Sequence, residues 1–90
     1  MLRVEAGVAH LEGDLNLGNA SHWLAQGEAA LRDGVTVFDL AELGRLDSAA
    51  LSLLLSLRRR AQAAGGAIDY RNIPESLASL ADLYGVTEQL

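Results

Sequence analysis

An α/β domain with its elements in the order ββαβαβα is what the hydrophobic pattern of this sequence predicts. Short runs rich in β-branched and aromatic residues alternate with longer segments whose leucines and alanines recur at helical spacing. Gly, Asp and Asn fall at the junctions. Strands separated by a helical segment run parallel through right-handed crossovers, whereas the opening pair is close enough for a hairpin.

Leu2–Glu5 and Gly7–Glu12 read as the opening strands, with Ala6-Gly7 as their turn. Gly13-Asp14 ends the second strand. Asn19 caps a helix running to about Arg32, where Asp33-Gly34 stops it. Ala20, Leu24, Gly27 and Leu31 recur at i, i+4, i+7 and i+11 and define its core stripe. Trp23 lies at the edge of that stripe, where it either covers the core margin or, as the only tryptophan, anchors a partner.

Val35, Thr36, Val37 and Phe38, closed by Asp39 and Leu40, predict a strand buried on both faces. The loop Ala41–Leu46 follows. Asp47 and Ser48 stand directly before a leucine-rich helix from about Ala49 to Ala64. A serine there is ordinarily a cap for a first-turn amide. The same amides and the helix dipole tolerate an anion, which makes Ser48 a candidate phosphoacceptor position.

On a helical wheel Ala50, Leu54, Leu57 and Ala61 share the core arc, and Ser48, Ser52 and Arg59 lie opposite with Ser56 and Arg60 beside them. Leu55 falls within about 20° of Ser48 and points outward, so an otherwise polar face carries a leucine and becomes a candidate docking surface. Arg58, Arg59 and Arg60 complement the helix C-terminus, which Gly65-Gly66 ends. Asp39 and Asp47 are expected to order the loop between them through its amides.

Ala67–Arg71 reads as the last strand, with Ile68 and Tyr70 on one side and Asp69 and Arg71 on the other. Pro74 suits the first position of a closing helix, Leu77, Leu80, Ala81 and Tyr84 form its apolar stripe, and Gly85 ends it.

Ninety residues, 50% of them hydrophobic, predict a single domain over residues 1–90 with one modest core. A net charge of −5 argues against nucleic acid or anionic lipid as the main ligand. With no cysteine there is no thiol nucleophile, disulfide or thiolate metal site. His10 and His22 are isolated, the carboxylates are scattered and no P-loop is present, so neither a metal, a cofactor nor catalytic residues are expected, and the protein is not expected to be an enzyme. No run reaches the roughly 18 apolar residues that span a bilayer, and the N-terminus lacks a signal-like apolar stretch. A cytosolic location without membrane insertion is the expectation.

DLAELGRLDSAAL, residues 39–51, resembles the STAS signature, in which a buried strand ending in Asp-Leu is followed by a loop, an Asp-Ser or Asp-Thr pair, small residues and Leu. LEGDL at Leu11–Leu15 is similar to the family's early strand-and-turn segment, and IPESLASLADLYGV at Ile73–Val86 to its closing helix. Most members have Gly two residues after the Ser or Thr; this chain has Ala50, preceded by Ala49. The resemblance implies a STAS (SpoIIAA-like) fold, a small mixed four-stranded sheet with about three helices, acting by binding a partner.

Two branches of the family fit. The brief opening hairpin and the LADLYGV ending are similar to the Mla-type STAS subunits, which implies binding to the ATPase subunit of a phospholipid ABC transporter, within a complex with permease and substrate-binding subunits, peripheral to the inner membrane. Ser48, Ala49, Ser52, Leu55, Arg59 and Trp23 would then face the ATPase. On the alternative branch, the anti-sigma-factor antagonists, Ser48 would be phosphorylated by a partner kinase.

Overall fold

A computed structural model describes residues 1–90. Its strands are β1 (Leu2–Glu5), β2 (Val8–Leu11), β3 (Gly13–Leu15), β4 (Val37–Asp39), β5 (Leu43–Leu46) and β6 (Asp69–Arg71). The helices are α1 (Ala20–Arg32), α2 (Ser48–Ala63) and α3 (Glu75–Leu83), followed by one 3₁₀ turn at Thr87–Gln89. Four strands form a mixed sheet in the order β1-β2-β4-β6, in which β1 and β2 are antiparallel and β2, β4 and β6 parallel. The predicted α/β class with its small mixed sheet and three helices is therefore what the chain adopts.

Strand alternation gives the sheet one greasy and one polar face. Ala9, Phe38 and Tyr70 are cross-strand neighbours on the buried face, where the Phe38 and Tyr70 rings meet edge to face at 6.1 Å. Arg3, His10, Asp39 and Arg71 form one row across the opposite face. Helices cover only the first face, so β4 is not buried on both sides as its apolar run suggested: Val37 and Asp39 are half-buried and only Phe38 is enclosed. Tyr70 reaches through the core to α2, its hydroxyl donating to the Leu54 carbonyl at 2.7 Å. That burial pushes its phenol pKa well above the usual tyrosine value, and the Arg58 guanidinium, 5.2 Å from the ring centre, only partly offsets the shift.

A second, two-stranded ladder was not legible in the sequence. β3 and β5 pair in parallel through Gly13–Leu43 and Leu15–Leu46, with an irregularity between them. The segment Ala41–Leu46, read as loop, thus contains a strand whose leucines are spaced by three because the ladder is bulged. Asp14 specifies the pairing: its Oδ1 accepts from the Arg45 amide at 2.8 Å, and a Cβ on Gly44 would lie 2.4 Å from that oxygen. A side chain there would displace the Asp14 carboxylate from the Arg45 amide.

The core stripe of α1 is rotated from the expected one. Trp23, Gly27 and Ala30 are buried, while Ala20, Leu24 and Leu31 are half-buried. Gly27 is where α1 meets α2, since a Cβ there would sit 2.8 Å from Leu57 Cδ2. In α2 the buried set extends beyond the predicted Ala50, Leu54, Leu57 and Ala61 to Leu51 and Leu53. The helix is flanked by α1 on one side and α3 on the other, so its apolar arc is wider than a sheet contact alone requires. Pro74 precedes α3 as its cap residue, and Leu77 and Ala81 enter the core. Tyr84, expected in that stripe, lies past the helix end and is 60% exposed.

Candidate functional site

Asp47 builds the N-terminus of α2. Its backbone is extended and its Oδ1 accepts from the Ala49 amide at 2.8 Å, so the cap is Asp47 and not Ser48. The other oxygen, Oδ2, accepts from the Leu17 amide at 3.1 Å and ties the β3–α1 loop to the helix start. Ser48 becomes the first helical residue, exposed, with its hydroxyl making no hydrogen bond within the chain. Capping chemistry therefore does not consume the serine. An exposed hydroxyl at the positive end of a 16-residue helix, whose Ala49 and Ala50 amides Asp47 already satisfies, is suited to accepting a phosphoryl group or meeting an acceptor on a partner.

Ser48 opens a groove of about 400 Å³ between the first turns of α1 and α2. Ala49, Ser52 and Leu53 line it from α2, and Ala20, Ser21 and Leu24 from α1. At its mouth stands Leu17, 83% exposed, held by Asp47 and by the turn in which Asn16 Oδ1 accepts from Gly18 and Asn19 Oδ1 accepts from Asn16. The Asn19 side chain closes this turn and does not cap α1 as expected; its Nδ2 donates to the Asp14 carbonyl at 2.9 Å. The arrangement is a shallow apolar slot with an exposed leucine at one end and serine hydroxyls along its rim.

Of the predicted docking residues, Ser48, Ala49 and Ser52 come together in this groove. Arg59 is exposed two turns further on, donating to Ser56 Oγ at 3.1 Å. Leu55 does not line the groove: it is half-buried and packs against the core, where a lone helical wheel had left it in solvent. Trp23 is corrected outright as an anchor: it is 4% exposed and its indole N–H donates to the Asp14 carbonyl at 3.2 Å. The exposed large apolar residue at the groove is Leu17 instead. It was missed because it stands alone in a turn, Asn-Leu-Gly-Asn, where no periodicity marks it; a large apolar residue among turn formers was the available signal.

Asp39 and Asp47 order separate parts of the framework. Asp39 Oδ1 accepts from the Ala41 amide at 2.9 Å, and both its oxygens receive the Asn72 amide group at 3.1 Å. The Ala41 amide first, and Asn72 second, hold the Asp39 carboxyl below its ordinary range. Asn72 has φ +56°, a left-handed conformation that asparagine tolerates, and so aims its side chain back across the ends of β4 and β6. Ala50, at the position where the resemblance expects glycine, is fully buried within α2.

A family model described as "Mlab, STAS domain" matches residues 2–90. No curated protein matches the chain. Among solved structures, the chain is similar to the anti-sigma factor antagonist SpoIIAA in its unphosphorylated form, with a TM-score of 0.68 and 19% identity over 92% of this chain and 81% of that one. It is equally similar to the Bacillus cell fate determinant SpoIIAA in the phosphorylated form, with a TM-score of 0.70 and 19% identity over 99% and 86% of the two chains. A crystal structure of Mglu aligns with a TM-score of 0.62 and 29% identity over 83% of this chain, which spans only 19% of that larger chain.

Proposed function

The chain belongs to the MlaB-type STAS family, and from that premise we propose that it is a non-catalytic subunit of a bacterial phospholipid-transport ABC transporter. It binds the cytoplasmic ATPase subunit and supports its assembly and activity in maintaining outer-membrane lipid asymmetry. The observation that carries this reading is the family match over residues 2–90. The site is compatible with it: the groove beside Ser48 is apolar inside, hydroxylated at the rim and marked by one protruding leucine, the chemistry of a small protein interface. No helix of the chain is long and apolar enough to cross a membrane, so on this reading the subunit is held at the inner membrane through its partners.

Leu17, Ser48, Ala49 and Ser52 form the contact, and Ser48→Arg places a long cation in the groove. The test is recovery of the ATPase and its permease from detergent-solubilised membranes by tagged wild type and not by Ser48→Arg, with circular dichroism showing that the variant is folded. An intact complex carrying Ser48→Arg refutes this face.

A second reading is favoured by one specific observation, the unbonded Ser48 hydroxyl at the start of α2. It makes the protein an anti-sigma-factor antagonist switched by phosphorylation of Ser48. Incubation with an anti-sigma kinase and ATP then adds one phosphate at Ser48, and recovery of a soluble kinase in place of an ATPase supports this alternative.

A further inference from the structure

The α1–α2 seam continues past the groove at Ser48. A larger concavity of about 610 Å³ lies at the opposite end of the same two helices. On α1 the seam runs Ala20, Leu24, Glu28, Leu31, and on α2 it runs Ala49, Ser52, Ser56, Arg60, Ala63. Both series keep the three-and-four spacing of a single helix face, so the two depressions belong to one surface roughly 20 Å long, at about 1.5 Å of rise per residue. What divides them is the Glu28–Arg60 ion pair at 3.4 Å, which bridges the helices across the surface close to the Gly27–Leu57 contact.

The lower concavity differs in character from the upper. Leu31, Val35 and Ala61 line it, and the rest of its uncharged lining, around the helix ends, is small, with Gly34, Ala63, Ala64, Gly66 and Ala67 and only Thr36 larger, so a second backbone can come close. Arg32 and Arg60 stand at its rim with Glu28 as the only carboxylate in the lining, and Arg32 has no ion pair. On a chain of net charge −5 this is a local excess of positive charge.

We propose that this lower concavity receives a segment of the same partner that docks at Ser48, one carrying an aliphatic side chain next to a carboxylate. The aliphatic group enters the alanine-walled hollow and the carboxylate meets Arg32. The partner thereby straddles the Glu28–Arg60 bridge and contacts the seam at both ends, as an amphipathic helix of about four turns does when laid along a groove. A polypeptide is favoured over a small molecule because the hollow is broad and open and would leave a small ligand half-solvated.

The proposal rests on the docking reading given above, and two labels separate their failures. The sequence holds no cysteine, so Ser21→Cys at the upper groove and Ala64→Cys at the lower hollow each carry a single environment-sensitive fluorophore. The probe is the purified transporter ATPase subunit. Both labels are expected to shift and saturate at the same ATPase concentration. Arg32→Glu is expected to weaken binding roughly tenfold and to reduce its salt sensitivity, while the Ser21→Cys label still saturates. A shift at Ser21→Cys with none at Ala64→Cys overturns the extension and leaves the docking reading standing. Silence at both sites overturns the docking reading as well. A shift at Ala64→Cys produced by decanoate alone, with none from the ATPase, overturns the proposal in favour of a small-ligand hollow.

Discussion

Asp47→Ala and Ser48→Ala, measured side by side, decide which residue holds the start of α2. Asp47 supplies two acceptor oxygens, one to Ala49 at 2.8 Å and one to Leu17 at 3.1 Å. Loss of an N-cap carboxylate costs about 1 kcal/mol, within a range of about 0.5–2. The second bond ends on an exposed loop amide that water can resolvate, so its loss adds about 0.5 kcal/mol. For a domain of this size about 1 kcal/mol moves Tm by roughly 4–8 °C, so Asp47→Ala is expected to lower it by about 6–12 °C. Asp47→Asn keeps a good cap and is expected to lower it by no more than a few degrees, on the order of 0.5 kcal/mol. Ser48→Ala removes a hydroxyl that bonds nothing and should leave stability within about 0.5 kcal/mol of wild type. Thermal melts followed at 222 nm read all three. If Ser48→Ala is the damaging change and Asp47→Ala the silent one, Ser48 is the cap and its hydroxyl is not free for a partner.

Three further expectations concern the framework. Gly27→Ala should cost about 1 kcal/mol despite alanine's better helix propensity, because the new Cβ meets Leu57 at 2.8 Å; in a Leu57→Ala background the same change should instead stabilise, and denaturant titration of the double-mutant cycle reads the reversal. Ala6 and Gly7 have φ +51° and +79°, the signature of a type I′ hairpin turn; Ala6→Asn, at a position that disfavours alanine, should add roughly 1 kcal/mol, and an unchanged melt would contradict the strain. Asp39 is held below its ordinary pKa, so its stabilisation is complete above the unfolded value of about 3.9 and is lost as pH falls through the lower folded value. Urea titrations between pH 6 and roughly pH 2 should show that loss in wild type and a flatter dependence in Asp39→Asn.

How far the sequence disclosed this molecule depended on whether a residue's environment was set by its own element. The hairpin turn at Ala6-Gly7, the sides of β6 and the start of α2 followed from local chemistry, and the structure places them within a residue or two. The β3–β5 ladder escaped because its specificity lies between distant residues: the Asp14 carboxylate on the Arg45 amide, with Gly44 clearing space for it. Leu55 was misplaced for a related reason, since a helical wheel cannot register the tertiary packing that half-buries it against the core. Trp23 illustrates the limit for large amphipathic side chains: its indole N–H found a carbonyl inside the fold, so its enrichment at interfaces was no guide. Leu17, exposed at the groove mouth, stands alone in a turn, where helical or strand periodicity gives no sign of it.

Hydrogen exchange of the chain with and without the purified transporter ATPase tests the central claim most directly. The account predicts slowed exchange at residues 17–24 and 48–56, on either side of the groove, with the sheet's polar face unchanged. Slowed exchange confined to that polar face, around Arg3, His10, Asp39 and Arg71, with α2 unaffected, would contradict it.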